Sequence, residues 1–157
     1  ELEHVTVRRV IETDAVTWNA PDGDHPARRA SQLSAATVAR GVKEDWLALF
    51  APDGVVEDPV GPSVFDPEGK GHHGHDGIGR FWDLAIAGVQ KFHFTITDSF
   101  ANGDSCANVG TISTILEDGT RVDTEGVFVY RVNEAGLITS MRAHWEFDRA
   151  MATVTRA

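Results

Sequence analysis

The strongest constraint on this chain is the alternation in its last third. Phe92, Phe94 and Ile96 share one side of a run from Phe92 to Ala101. Asn102-Gly103 then signals a tight hairpin, because both residues tolerate positive φ. Ser105 to Leu116 reads as the next strand and Asp118-Gly119 as the next turn. Thr120 to Val132 sorts by parity. Val122, Thr124, Gly126, Phe128, Tyr130 and Val132 take one face; Arg121, Asp123, Glu125 and Arg131 take the other, with Val127 and Val129 among them. After a turn at Asn133 to Gly136, Leu137, Thr139, Met141, Ala143, Trp145 and Phe147 share a face. A period of two across successive turns predicts an antiparallel meander with one apolar side.

That apolar side needs a cover, and the preceding residues offer one. Ala27 to Phe50 is helical in pattern, with Ala35, Val38, Ala39 and Val42 on one face and a break at Gly41. A second helix from Glu44 to Phe50 stops at Ala51-Pro52-Asp53-Gly54. A short strand, Val55 to Asp58, and a Gly/Pro-rich excursion, Pro62 to His75, follow. Asp76 is the expected N-cap of a helix from Gly77 to Ala87, with Ile78, Phe81, Trp82 and Ala85 aligned. Residues 1–27 read as an N-terminal extension, either an added helix or an arm, with a loop at Asn19 to Pro26. Residues 28–150 form the expected domain and 151–157 a C-terminal tail. Helices first and a meander after them predict an α+β fold. A curved sheet wrapped over about three helices makes a cone whose apolar interior suits a small molecule. Phe81, Trp82, Phe128 and Trp145 are the expected lining.

Composition narrows the function. With 157 residues, 41% apolar and 24% charged, the chain suits one soluble domain. No run approaches the roughly 18 apolar residues of a membrane span, and no signal peptide is visible. The net charge of −10 argues against nucleic acid or an anionic membrane as partner. The single cysteine, Cys106, excludes an internal disulfide and suits a reducing, cytoplasmic compartment.

The stretch Val55-Val56-Glu57-Asp58-Pro59-Val60-Gly61 is the candidate for chemistry. Val55 and Val56 favour a half-buried strand. Pro59 interrupts it and Gly61 lets the chain turn. Asp58 either caps that turn or faces inward, where burial would raise its pKa and make it a better proton acceptor. Other groups read more plainly. His72, His73 and His75 have no metal-ligand spacing, and no metal is expected. No Gly-x-Ser-x-Gly elbow is present. Cys106 reads as a buried cysteine. Asp98 reads as a strand-end surface residue or a second pocket carboxylate.

The run Leu49 to Gly61 resembles the strand that carries the catalytic base in bacterial ketosteroid isomerases. Gly74-His75-Asp76-Gly77-Ile78-Gly79-Arg80-Phe81-Trp82 is similar to a helix start in that family, and Tyr130 to Trp145 to its last hairpin. Order and spacing agree from Ser31 to Asp148, roughly three quarters of the chain. The resemblance implies an NTF2-like, or SnoaL-like, cone. It also implies an Asp that shuttles a proton beside a ketone, while a Tyr and a protonated Asp hydrogen-bond the developing oxyanion. Carried over residue by residue, the base falls at Asp58 and a pocket Trp at Trp145. The oxyanion Tyr falls at Ser34, the protonated Asp at Phe128 and the supporting Tyr at Trp82. Here the sequence departs from the family, and losing one such donor typically costs about 2.7–4 kcal/mol of transition-state stabilisation.

The resemblance thus implies a steroid Δ-isomerase-like protein. Asp58 would be general base and Ser34, Phe81, Trp82, Phe128 and Trp145 would line a site for a small apolar, steroid-like or polyketide-like ligand. Proton transfer beside a carbonyl needs no cofactor. Related cones often dimerise through the sheet, so a homodimer is expected. Two alternatives stay open: a related cone enzyme, either a polyketide cyclase or an epoxide-opening enzyme, the latter needing Asp98 or Arg80 turned inward, and a non-catalytic binder.

Overall fold

The computed structural model describes residues 7–156. Eight strands form one curved mixed sheet: β1 (Val7–Glu12), β2 (Val16–Asp22), β3 (Phe50–Glu57), β4 (His72–His73), β5 (Val89–Asn102), β6 (Ser105–Leu116), β7 (Arg121–Val132) and β8 (Ile138–His144). Their order across the sheet is β1-β2-β5-β6-β7-β8-β3-β4. The β2–β5 and β3–β8 pairs are parallel and the others antiparallel. The meander read from the sequence is the centre of this sheet, and the architecture is the α+β cone.

Helix α1 (Pro26–Arg40) crosses the concave face. His25 caps it by accepting from the Ala27 amide, and Pro26 fills the first turn, where a missing N–H is harmless. Gly41 ends it at φ 72°, a left-handed cap that only glycine adopts freely. Helix α2 (Lys43–Leu47) carries Trp46 into the core, and α3 (Gly74–Phe81) runs into a single π-helical turn, Trp82–Ile86. Helix α4 (Phe147–Met151) follows β8. The sheet curls at a glycine pair. Gly110 and Gly126 are cross-strand partners, and a Cβ at either would overlap a neighbouring carbonyl oxygen, that of Thr95 or His144.

Several local expectations are corrected. Over its described residues, 7–27, the N-terminal extension is neither a helix nor an arm, and residues 1–6 lie outside the described residues: β1 and β2 make a hairpin, and β2 extends the sheet beside β5, so Asn19 to Asp22 is strand rather than loop. Helix α3 starts at Gly74, with no side-chain cap, so Asp76 lies inside it. The tail folds back, with Thr155 exchanging backbone hydrogen bonds of 2.8 and 3.0 Å with Arg121. Two irregularities shift strand parity. Between Ile96 and Asp98 the pairing of β5 slips, which buries Ser99 and sends Asp98 outward, where Arg8 lies 3.9 Å away. Between Arg131 and Val132 the β7–β8 register slips, so Ile138 is buried in place of Leu137.

Candidate active site

The parallel β3–β8 pair builds the site. It aligns Val55 with Ser140, Val56 with Met141 and Glu57 with Arg142. Beyond Glu57 the chain stays attached to β8, because the Val60 amide donates to the Ala143 carbonyl at 2.9 Å. Asp58 therefore lies next to the end of β8, where Trp145 follows. The Trp145 indole Nε1–H donates to Asp58 Oδ1 at 2.6 Å.

Both residues face a cavity of about 380 Å³ inside the cone. Apolar side chains make most of its wall, Phe81, Phe92, Phe94, Ile112 and Phe128 among them. The π-helical turn contributes Ala85 and Ile86. Leu84, Phe147 and Met151 line it too while remaining substantially exposed, which places the mouth between that turn and α4. Such a chamber matches the size and polarity of small-molecule pockets.

Only two ionisable side chains line the cavity among the described residues, Asp58 and Tyr130. Burial raises the Asp58 pKa to about 6, and the Trp145 hydrogen bond opposes part of that rise. Burial also pushes the Tyr130 phenol up to about 12; Ser34 opposes the rise, while the Asp58 and Cys106 charges add to it. Ser34 is buried on α1 and accepts a hydrogen bond from Trp46 Nε1 at 3.0 Å. A tryptophan, a serine and a phenol thus meet under α1, on the same chamber as the carboxylate.

The structure brings together Ser34, Asp58, Phe81, Phe128 and Trp145. It leaves Trp82 out: that ring packs 5.5 Å from Trp46 in the core and does not line the cavity. Asp98 and Arg80 are both turned away from it. The three loop histidines serve the backbone or pack. His73 and His75 hydrogen-bond the carbonyls of Lys70 and Phe50, and His72 lies 5.1 Å from the Phe81 ring. Tyr130 was not among the expected lining residues. Strand β7 keeps regular pairing through it, with Met141 as its Cα partner, and the residue lines the chamber. Its parity with Phe128 was the available signal. The Trp145–Asp58 contact had none, since it depends on a parallel pairing between distant segments.

The SnoaL-like domain family matches residues 30–141, and the chain belongs to that family. Rv0760c from Mycobacterium tuberculosis is 38% identical, aligned over 87% of this chain and 99% of its own, with a TM-score of 0.77. A second structure of that protein, at 39% identity and a TM-score of 0.75, is a complex with estradiol-17β-hemisuccinate, aligned over 84% of this chain and 99% of its own. A Δ5-3-ketosteroid isomerase from Mycobacterium sp. is 35% identical, aligned over 85% of this chain and all of its own (100%), with a TM-score of 0.75. Comparison with curated proteins finds no match. Among the described residues no helix is long and apolar enough to cross a membrane.

Proposed function

We propose that the protein is a ketosteroid-isomerase-like enzyme that moves a proton beside a ketone on a flat, apolar substrate. The observation that carries this reading is the Asp58 carboxylate on the wall of an apolar chamber, with a pKa raised to about 6. At pH 7 such a group is mostly ionised, at roughly ten to one, yet basic enough to take a carbon-bound proton. Trp145 holds Oδ1 and leaves Oδ2 to act. The base would remove a proton from the carbon between the ketone and the double bond, then return it to the far end of the resulting dienolate.

The negative charge that develops on the ketone oxygen needs a donor. Phe128 and Ser34 occupy the positions where the family resemblance implies an acid and a phenol. Tyr130 is the group available: its phenol approaches Ser34 from the opposite wall, and its raised pKa keeps it protonated. Isomerase steroids would stack against Phe128, Phe81 and Trp145. The 35% identity to the Mycobacterium isomerase supports the same substrate class. Epoxide-opening chemistry gains no support, because neither Asp98 nor Arg80 lines the chamber.

The test is a spectrophotometric assay of conjugated enone formation from a 3-keto-Δ5 steroid, on wild type and Asp58→Asn. Turnover that disappears in the variant is the expected result. A wild type that binds the steroid without converting it would replace the enzyme with a binder.

A further inference from the structure

A second cavity, of about 510 Å³, lies on the other side of α1. Ser34 and Val38 face the Asp58 chamber; Ser31, Ala35 and Ala39 face the second one. Phe94, Ile112, Phe128 and Tyr130 line both, so they form the seam beneath the helix. The outer wall is the N-terminal hairpin, through Ile11, Val16 and Trp18. That hairpin lies outside the family match, which begins at residue 30.

The roof is fixed at both ends. At one end Asp22 accepts from Gln32 Nε2 at 3.1 Å and lies 3.5 Å from Arg29, both on α1. At the other, a His93 ring nitrogen pairs with the Asp14 carbonyl at 3.0 Å, and Thr17 with the same ring at 2.8 Å. Arg8 Nη2 donates to the Thr97 carbonyl at 2.7 Å. Strand β2 therefore runs opposite to α1, and the Thr13-to-Ala15 turn comes to the Arg40 end of the helix.

The lining chemistry is one-sided. The walls are apolar, and no carboxylate lines them among the described residues; Arg40 is the one charged group. The buried polar groups on the floor are already engaged. Ser31 Oγ donates to the Arg28 carbonyl at 2.7 Å and accepts from Asn108 Nδ2 at 2.9 Å. Arg40 is more than half exposed and only loosely paired with Asp45, at 3.7 Å. It lines the chamber while standing largely in solvent, at the edge of the apolar wall.

We propose that this chamber is a second binding site, for a monocarboxylate with an apolar tail, of fatty-acid type. The tail lies between Trp18 and the small residues Ala35 and Ala39, and the carboxylate meets Arg40. Asp58 plays no part, so the site stands whether or not the isomerase reading does.

The test uses the full chain with dodecanoate and, as a neutral control, dodecanol. The Trp18 indole resonance, assigned by Trp18→Phe, reports on the chamber wall. Dodecanoate is expected to shift it at saturation, and Ala36→Phe, which fills the cavity, to abolish the shift. Arg40→Ala should weaken dodecanoate about fivefold and leave dodecanol unchanged. An unmoved Trp18 resonance at saturating dodecanoate overturns the proposal, whether the ligand binds elsewhere or nowhere. So does an Arg40→Ala variant that binds both ligands as the wild type does. If Ala36→Phe fails to fold, the wild-type Trp18 resonance and the Arg40→Ala titration still decide.

Discussion

Polar side chains inside this fold are treated in two opposite ways. Under the first strands of the meander, Arg28, Ser31, Ser99, Cys106 and Asn108 close a network. Arg28 Nε donates to Ser99 Oγ at 3.0 Å, and Ser99 Oγ to Asn108 Oδ1 at 2.7 Å. Asn108 Nδ2 reaches Ser31, and the Cys106 thiol donates to Asn108 Oδ1 at 3.2 Å. Burial pushes the Cys106 thiol up, so it stays protonated and fills its place as donor. Among the described residues no buried side-chain nitrogen or oxygen lacks a partner. Asp58 is different. One side chain, Trp145, donates to it, and most of the chamber wall it faces is apolar. A closed network fixes how α1 sits on β5 and β6. An open carboxylate is poorly solvated by its own protein and gains by taking a proton. The contrast separates polar groups that specify the fold from one held ready to react.

The sharpest way to break this contrast is on activity. Asp58→Asn should lower isomerase turnover by about 10²–10⁴-fold, the usual contribution of a positioned general base. Asn108→Ala, which does not line the Asp58 chamber, should leave turnover per folded molecule within a few-fold. Steady-state kinetics on both variants read the difference. Equal losses would mean that Asp58 acts through structure, as Asn108 does.

Stability should respond in the reverse sense. The Asp58 carboxyl goes from an ordinary 3.8 to about 6 on folding. Between those values the unfolded chain has released its proton while the folded chain still holds it. Rising pH therefore favours unfolding across that window, and above pH 6 the folded state carries the full penalty. That penalty is roughly 3 kcal/mol. Asp58→Asn, neutral and able to accept from Trp145, should be more stable than wild type at pH 8 by up to about that amount, and equal to it below pH 4. Urea melts at the two pH values measure it. A variant no more stable at pH 8 would show that the carboxylate is better solvated than its setting indicates. Asn108→Ala should instead be destabilised by about 1–3 kcal/mol, because it takes a partner from the Ser99 hydroxyl, the Ser31 hydroxyl and the Cys106 thiol. That loss should be the same at roughly pH 5 and pH 8.

The same contrast explains what was legible in the sequence. The meander could be read because alternation is local: Phe128 and Tyr130 sit on the inward face that parity assigns them. Asp58 was legible because Pro59 and Gly61 punctuate an apolar strand. Both the open site and the closed network, however, are completed by residues far apart in the chain. Asp58 meets Trp145 only because β3 and β8 are parallel neighbours. Asn108 meets Ser31 only because α1 crosses β6. The parity slip at Asp98 is invisible in a run that alternates cleanly up to Ile96. The hairpin of β1 and β2 was missed for another reason. Its first strand, Val-Arg-Arg-Val-Ile-Glu, has no alternation and is almost wholly exposed. Its place is set by partners such as Thr97 and His93, not by its own pattern.

The smallest effect is the most discriminating, since it alters the setting of the carboxylate without removing it. Trp145→Phe keeps a ring in the cavity wall and takes away the one N–H that favours the ionised form of Asp58. That hydrogen bond holds the pKa down, so its loss should raise the pKa above about 6. The rising limb of kcat/KM against pH, which reports ionisation of the free base, should then move to higher pH. At pH 6 the variant should fall well behind the wild type. At pH 8, where both are ionised, the gap should narrow to less than about tenfold, the residue being lost orientation of the carboxylate. A uniform loss at every pH would assign Trp145 to packing the substrate alone. A limb that moves to lower pH would contradict the indole-to-carboxylate hydrogen bond and, with it, the view that Asp58 has a single donor.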